Sequence, residues 1–250
     1  EPAENAVIEG DRVKVSRLFS NLVANAVEHT GADRLVHITQ TVTAGHVLIA
    51  VKPPNMPSQA DESGDRDMFT EMKAYVKERF QKPGEVYLGL LHRLDRPVGG
   101  LMAFARTSKA AARLSEQLRV HDMRRGYLCV AQGEARAQAR LENVLTYDDG
   151  SSKQAALTYE RLGFENGLSF LRVSLETGRK HQIRRQLQLA GLPLWGDARY
   201  GGGRPGQQIA LWGATLELTH PTTKERLRFV SSPPDAYPWN LFTNRSSETD

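Results

Sequence analysis

An aspartate flanked by two arginines, in the order Arg93, Asp95 and Arg96, follows a short apolar segment of this 250-residue chain. A second apolar run, 101–105, comes directly afterwards, so a loop is predicted to hold these charges between two buried elements. A carboxylate beside guanidinium groups stays ionised even when it is partly desolvated, because nearby positive charge opposes the cost of burial. Such a group can act as a nucleophile or a general base. An Arg–Asp pair that only fixes a turn would leave the same pattern.

A second cluster, 179–185, holds four basic residues and a histidine within seven positions. It lies at the predicted start of a helix, and a helix N-terminus adds a positive field of its own. The cluster therefore suits phosphate groups, carboxylates or both, and a solvated basic helix is the alternative interpretation.

Positive charge is concentrated in the middle of the chain. Residues 91–230 contain 22 Lys and Arg against 13 Asp and Glu, whereas 1–90 contain 10 against 13 and 231–250 contain 1 against 3. Of the 33 basic residues, 24 are arginines, and arginine is the side chain that forks onto phosphates and stacks on bases. This distribution is consistent with a polyanionic partner, and equally with an arginine-rich solvated surface.

The composition excludes several classes of protein. With 40% hydrophobic and 25% charged residues the chain is typical of a globular protein. No apolar run reaches the length of about 18 residues that a membrane helix needs, and the N-terminus lacks the features of a signal peptide, so a soluble, cytoplasmic protein is expected. The single cysteine, Cys129, excludes an internal disulfide and a Cys-based zinc site, and its apolar neighbours predict a buried strand position.

The elements that position the two clusters are predicted from hydrophobic periodicity and from caps. Helices are predicted at 11–30, 69–80, 108–119 with Thr107 and Ser108 at the cap, and near 180–190. Strands are predicted at 35–38, 47–51, 86–91, 124–131, 155–162, 168–175, 208–219 and 226–230. Because helices and strands do not alternate regularly, we expect an α+β fold with a mixed, largely antiparallel sheet and flanking helices.

Six segments, in order, carry a family resemblance: 51–57, 92–107, 125–130, 178–184, 191–201 and 218–221. The segment that begins with His92-Arg93-Leu94-Asp95 resembles the catalytic motif of the RluA family of RNA pseudouridine synthases, and the other five are similar to the remaining motifs of that family. The resemblance divides the chain into an N-terminal segment, 1–44, a catalytic domain, 45–235, and a C-terminal tail, 236–250.

The resemblance implies an isomerase that converts specific uridines of ribosomal or transfer RNA to pseudouridine. It implies no cofactor and no metal, because the bonds made and broken in the reaction balance. Asp95 would be the essential carboxylate, Arg184 would pair with it, and Tyr127 would stack on the uracil. The chemical route of Asp95, by attack on the sugar or the base or by proton abstraction, stays open.

The resemblance also implies contacts with the substrate. Arg93 would fill the space that the extruded base leaves, since a base in folded RNA must leave its stack before it reacts. The full set of substrate-binding candidates is Arg93, His92, Lys52, Arg179, Lys180 and Ile183, of which Lys52, Arg179 and Lys180 are candidates for phosphate contacts. RNA is the expected partner, with no membrane and no obligatory protein partner.

The chain departs from the family pattern at several positions. Asn55 stands where a glycine is usual, and 97–99 replace a more polar triplet. Lys180, Arg185 and Gln186 replace the usual threonine, apolar residue and histidine. The predicted catalytic residues are all retained, so the departures concern the choice of substrate more than the chemistry.

The N-terminal segment resembles a different family. Residues 17–30 are similar to the helix of histidine-kinase ATP-binding domains in which Asn25 would ligate magnesium. The glycine-rich lid and the Asp-Gly box of that family do not follow, so we expect a helix that packs on or beside the catalytic domain. Two alternatives to an enzyme remain: a non-catalytic RNA-binding module, which would not need Asp95, and a nucleotide-binding regulatory fragment.

Overall fold

The computed structural model describes residues 41–44, 46–204 and 206–242, so the helix predicted at 11–30 and the strand predicted at 35–38 lie outside the described residues. The chain forms two compact units. The first runs to Arg124 and also includes Thr215–Ser232, and the second consists of Arg125–Ala214 and the residues from Pro233 onward.

The secondary-structure elements are numbered in chain order. The strands are β1 (Thr41–Ala44), β2 (Val47–Lys52), β3 (Gly89–Leu90), β4 (Gly99–Ala105), β5 (Arg124–Gln132), β6 (Gln138–Thr146), β7 (Ser152–Glu165), β8 (Leu168–Leu175), β9 (Leu211–Thr219) and β10 (Arg226–Val230). The helices are α1 (Met68–Arg79), α2 (Ser108–Arg119) and α3 (Gln182–Leu189), with a 3₁₀ turn at Trp239–Leu241.

Two fully buried strands, β2 and β4, form the centre of the first unit. They pair antiparallel with each other, β1 extends the sheet on β2, and β3 pairs with β4. Residues 215–219 of β9 pair with β10 in the same unit. Apart from Lys52 at the end of β2, both central strands are continuous runs of apolar residues and glycine, which is the pattern expected of strands that are covered on both faces.

Helices α1 and α2 begin where their sequences provide caps. The side chains of Asp67 and Thr107 accept hydrogen bonds from the backbone N–H groups of Thr70 and Ala110, at 3.0 and 3.2 Å. Each bond satisfies one N–H group that the first helical turn leaves without a partner. The predicted starts of both helices are thereby confirmed to within one residue.

The second unit is an antiparallel sheet in the order β5–β8–β7–β6, with helix α3 inserted in the chain between β8 and β9. Cys129 lies on β5 and is fully buried, as its neighbours predicted, and burial raises the pKa of its thiol. Gln186 of α3 donates from its buried amide to Asn143 Oδ1 of β6 at 2.8 Å and to the carbonyl of Ala155 of β7 at 3.1 Å. These bonds fix the helix against two strands.

The α+β class and the largely antiparallel sheet are confirmed. Strand β6 was missed, because its exposure alternates along a run of polar and charged residues and little of it is fully buried. The strand predicted at 86–91 shrinks to the two residues of β3. Within the described ranges, no helix is both long and apolar enough to cross a membrane.

Candidate active-site residues

The segment 91–98, which we call the Asp95 loop, joins β3 to β4 in the first unit. Asp95 itself is half-buried, and its backbone carbonyl accepts a hydrogen bond from Val98 N–H at 2.9 Å. The buried hydroxyl of Ser58 donates to the carbonyl of Leu94 at 2.6 Å and accepts from its N–H at 3.0 Å. The Ser58 side chain therefore fixes the residue before Asp95 through both of that residue's backbone polar groups, the N–H and the carbonyl of Leu94.

Lys52, at the end of β2, is completely buried. Its ammonium group donates to the carbonyls of Met56, Pro53 and Arg96, at 2.7, 2.9 and 3.1 Å. Burial lowers the pKa of Lys52 to about 7, while the negative charge of Asp95 acts in the opposite direction. The predicted phosphate contact of Lys52 is inconsistent with this burial, since all three bonds hold protein backbone. Lys52 is instead the cation that ties the Asp95 loop to the segment after β2.

His92 and Arg93, at the start of the loop, have different environments. His92 is 8% exposed, and its Nε2 accepts a hydrogen bond from the N–H of Ala103 on β4 at 3.1 Å. This contact fixes the imidazole against β4, and the predicted substrate contact of His92 stays a prediction. Arg93 is exposed and forms no ion pair within the part of the chain that the structure describes. Arg96 pairs with Asp65.

The second unit holds a buried ion pair between Arg184 of α3 and Asp197. The guanidinium donates twice, from Nε to Oδ2 and from Nη2 to Oδ1, both at 2.8 Å. The two side chains are only 7% and 0% exposed. The predicted pairing of Arg184 with Asp95 stays a prediction, and Asp197 was given no predicted role although it lies in the matched segment 191–201.

Asp197 remains ionised in spite of its burial. Desolvation acts to raise its pKa, but the Arg184 guanidinium and the backbone N–H groups of Arg199 and Tyr200 outweigh that effect and leave the pKa below its usual value. Those two N–H groups donate to Oδ1 at 3.0 and 3.1 Å. A carboxylate that accepts charge-assisted and backbone hydrogen bonds is strongly stabilised in its charged form. Asp197 therefore holds Arg184 in one orientation.

Gln182, the first residue of α3, organises the basic cluster. Its buried amide accepts hydrogen bonds from the hydroxyl of Thr177 at 2.7 Å and from the N–H of Arg179 at 2.9 Å, and it donates to the carbonyl of Ala156 at 2.9 Å. His181, just before the helix, has a left-handed backbone with φ of 53°. Gln182 was not among the predicted site residues, and its position inside the matched segment was the only signal for it.

The remaining predicted residues divide between the interior and the surface of the second unit. Tyr127, on β5 opposite Val173, is 6% exposed. Ile183 is 4% exposed, and its predicted substrate contact stays a prediction. Arg179 and Lys180 are exposed, as a phosphate contact requires. Among the described residues, no group of three or more His, Cys, Asp or Glu side chains could hold a metal ion.

Two solved structures share this fold. The structure titled "Human RNA Pseudouridylate Synthase Domain Containing 4" superposes with a TM-score of 0.67 at 17% identity, over 92% of this chain and 93% of that one. "Human RNA Pseudouridylate Synthase Domain Containing 1" gives 0.60 at 18% identity, over 78% and 82%. The fold is therefore that of pseudouridylate synthase domains.

The family model described as RNA pseudouridylate synthase matches residues 46–189, which is more than half of the chain. The chain belongs to this family and is an RNA pseudouridine synthase, an isomerase.

Curated relatives agree with the family. The chain is 31% identical over 233 residues to "Uncharacterized RNA pseudouridine synthase YhcT" of Bacillus subtilis (strain 168), covering 88% of this chain and 74% of the relative. It is 32% identical over 212 residues to "Ribosomal large subunit pseudouridine synthase C" of Escherichia coli (strain K12), covering 76% and 64%. "Ribosomal large subunit pseudouridine synthase D" of Pseudomonas aeruginosa is 29% identical, with coverage of 78% and 68%. The chain thus spans about two thirds to three quarters of these relatives.

Proposed function

We propose that this synthase isomerises specific uridines in structured RNA, either ribosomal or transfer RNA, with Asp95 as the essential carboxylate. Large-subunit ribosomal RNA is the favoured substrate, because two of the similar relatives are named for it. The enzyme would act in the cytoplasm with its RNA.

The observation that supports Asp95 most directly is the way its loop is fixed. Ser58, Lys52 and His92 bind the backbone of the loop or of β4 from three sides, and the loop presents a half-buried carboxylate beside a buried cation. Catalytic groups need a fixed position, since a well-oriented group avoids much of the entropic cost of reaching the transition state. A non-catalytic RNA-binding module would need the basic surface but not this arrangement.

The reaction balances without an external reactant. The N1–C1′ glycosidic bond of uridine breaks, the detached uracil turns, and a C5–C1′ bond forms. The hydrogen on C5 leaves as a proton, and N1 gains one. Asp95 serves either as the nucleophile that holds the sugar or the base during the turn, or as the base that removes a sugar proton.

Other residues of the proposal bind the substrate. The ring of Tyr127 stacks on the uracil, and Arg184, oriented by Asp197, supplies positive charge to the reacting groups. Extruding the target base from its stack costs a few kcal/mol, and exposed Arg93, two residues from Asp95, fills the space left behind. Arg179 and Lys180 are assigned to phosphate contacts.

The test is tritium release from ribosomal and transfer RNA that carries tritium at uracil C5, because this hydrogen leaves only when C5 becomes the glycosidic carbon. Asp95→Asn keeps the size of the side chain but removes its charge and its basicity. We expect release to fall by at least about 10²–10⁴-fold, the usual contribution of a general acid or base. RNA affinity should be unchanged or slightly higher, because Asp95 repels phosphate.

The matched control is Asp235→Asn, the same chemical change at an exposed aspartate of the second unit. The control should release tritium at the rate of the unmodified protein. Release from Asp95→Asn at that same rate would refute the assignment of Asp95. No release by the unmodified protein from either class of RNA would favour a non-catalytic RNA-binding protein.

A further inference from the structure

The second unit contains a pocket of about 140 Å³, and one of its lining residues, Lys180, is the residue assigned above to a phosphate contact. Three segments form it: the turn after β6, the start of α3 and the turn that follows Asp197. Its charged lining residues are Lys180, Arg185, Arg199 and Asp148, and we call it the Lys180 pocket. All of its lining residues belong to the second unit.

The charges of this pocket do not balance. Three permanent cations, Lys180, Arg185 and Arg199, face one carboxylate, Asp148. The Asp148 side chain is 98% exposed, and its nearest approach to Arg199 is 3.9 Å, so it neutralises little charge. Lys180 and Arg185 form no ion pair within residues 46–204 and 206–242. A concave cluster of uncompensated positive charge attracts an anion.

The two arginines are held in place by contacts that do not neutralise them. Arg185 donates from Nη2 to the carbonyl of Thr146 at 2.7 Å, and its guanidinium lies 5.1 Å from the centre of the Tyr147 ring. The Arg199 guanidinium lies 5.5 Å from the centre of the Tyr200 ring. A guanidinium has five N–H donors, so one bond to a carbonyl leaves it able to fork onto a phosphate.

The aromatic rings of the pocket argue against a stacked base as its ligand. The ring of Tyr147 has Arg185 near its face, and the ring of Tyr200 has Arg184 at 5.0 Å as well as Arg199. The hydroxyl of Tyr200 is hydrogen-bonded to Nδ1 of His181 at 2.9 Å, which fixes that ring. Arginine side chains therefore already lie near both rings, and a phosphate fits this lining better than a stacked base.

We propose that the Lys180 pocket binds one backbone phosphate of the RNA substrate, at a nucleotide other than the target uridine. The proposal rests on the proposed function, because it takes RNA as the partner. The pocket contributes to the choice of RNA. It raises the affinity for a substrate whose backbone passes this point of the second unit while its target uridine is bound.

The test is the salt dependence of RNA binding, measured by fluorescence anisotropy with a labelled oligouridylate. The salt concentration is varied between about 50 and 200 mM, because several phosphate contacts together lose orders of magnitude in affinity over this range. Lys180→Gln, Arg185→Gln and Arg199→Gln are compared singly and together. For a single strand, each phosphate contact contributes about 0.7 to the slope of log affinity against log salt. We expect the triple variant to lose one such increment and not three, because the cations share one phosphate.

A specific phosphate site and a diffuse basic surface differ in whether the effects of the three substitutions on the salt slope add up. Residues that share a ligand are coupled, so one substitution should cause most of the loss. Arg136→Gln, at an exposed arginine of the same unit, is the matched control and should leave the slope unchanged. Arg185→Lys keeps the charge and should retain most of the slope. Tryptophan fluorescence confirms that each variant is folded.

Three results would overturn the proposal. The first is a slope that the triple variant leaves unchanged, and the second is an equal loss in Arg136→Gln. The third is that the pocket variants lose binding of orthophosphate but keep the RNA affinity of the unmodified protein, measured at constant ionic strength. That result would assign the pocket to a free anion. Normal tritium release and RNA binding alongside any of these would leave the proposed function standing. An unmodified protein that binds no RNA at all would overturn both.

Discussion

The buried pair of Arg184 and Asp197 makes a quantitative prediction for Asp197→Asn. The substitution keeps the shape of the side chain but removes the negative charge that pairs with the Arg184 guanidinium, whose side chain is only 7% exposed. Breaking a buried ion pair from one side costs about 3–5 kcal/mol, because a buried charge is left uncompensated. We expect the free energy of unfolding of the second unit to fall by that amount.

Urea unfolding followed by tryptophan fluorescence measures this loss in the right part of the chain. All three tryptophans, Trp195, Trp212 and Trp239, belong to the second unit. The matched control is Glu176→Gln, which removes the same kind of charge from an exposed pair with Arg140 whose side chains are 39% and 51% exposed. Exposed pairs contribute little, so the control should change the midpoint only slightly.

Acidification gives an independent check of the same pair. The pKa of Asp197 is lower in the folded protein than in the unfolded chain. Its contribution to stability is therefore fully present above the unfolded value of about 3.9 and is lost as the pH falls through the lower folded value. The stability difference between the unmodified protein and Asp197→Asn should be constant near neutrality and shrink in acid. Equal losses in Asp197→Asn and Glu176→Gln, or a difference that acid leaves unchanged, would refute the reasoning.

Two further substitutions test the scaffold. The pKa of Lys52 is lowered from 10.5 to about 7 in the folded protein. Between these two pH values Lys52 is deprotonated in the folded protein but protonated in the unfolded chain. The free energy of unfolding should therefore rise with pH across this interval, by at most about 1.4 kcal/mol per pH unit. Urea unfolding followed by circular dichroism should show this rise in the unmodified protein and not in Lys52→Met, and the same rise in both would contradict it. Gly196→Ala should destabilise the second unit by more than about 2 kcal/mol, since φ is 75° and an added Cβ would lie 2.2 Å from the carbonyl oxygen of Gln208. A tryptophan-fluorescence midpoint equal to that of the unmodified protein would exclude this clash.

Local signals in the sequence were sufficient for most of the fold. Strands β8 and β10 have the predicted bounds, α1 begins within one residue of its predicted start, and α2 begins at its predicted cap. Continuous apolar runs and capping side chains act within a few residues of the chain, so they can be recognised without knowledge of the tertiary structure. Strand β6 lacks such a run and is a strand because β7 pairs with it along its whole length.

The partners of the site residues depend on long-range packing and could not be predicted in the same way. The family resemblance implied a phosphate contact for Lys52, and nothing in the sequence indicated its burial, since a lysine is almost never fully buried. Its burial follows from the position of β2 between β1 and β4 and from carbonyl groups that only the folded loop brings together. Asp197 is 13 positions from Arg184, and only the turn after Leu194 brings the two together. Lys52 and Arg184 could each be recognised in a sequence motif, but the groups that they bind in the folded protein could not.

The contacts that fix the Asp95 loop also give the reason why we expect Asp95→Asn to affect the proposed chemistry without affecting folding. Ser58 binds the N–H and carbonyl of Leu94, Lys52 binds the carbonyl of Arg96, and Val98 N–H binds the carbonyl of Asp95. All of these are contacts to backbone groups, and substitution of the Asp95 side chain removes none of them. The substitution does remove a negative charge that opposes the lowering of the Lys52 pKa. The pKa of Lys52 should therefore fall further in Asp95→Asn, while the path of the loop is retained.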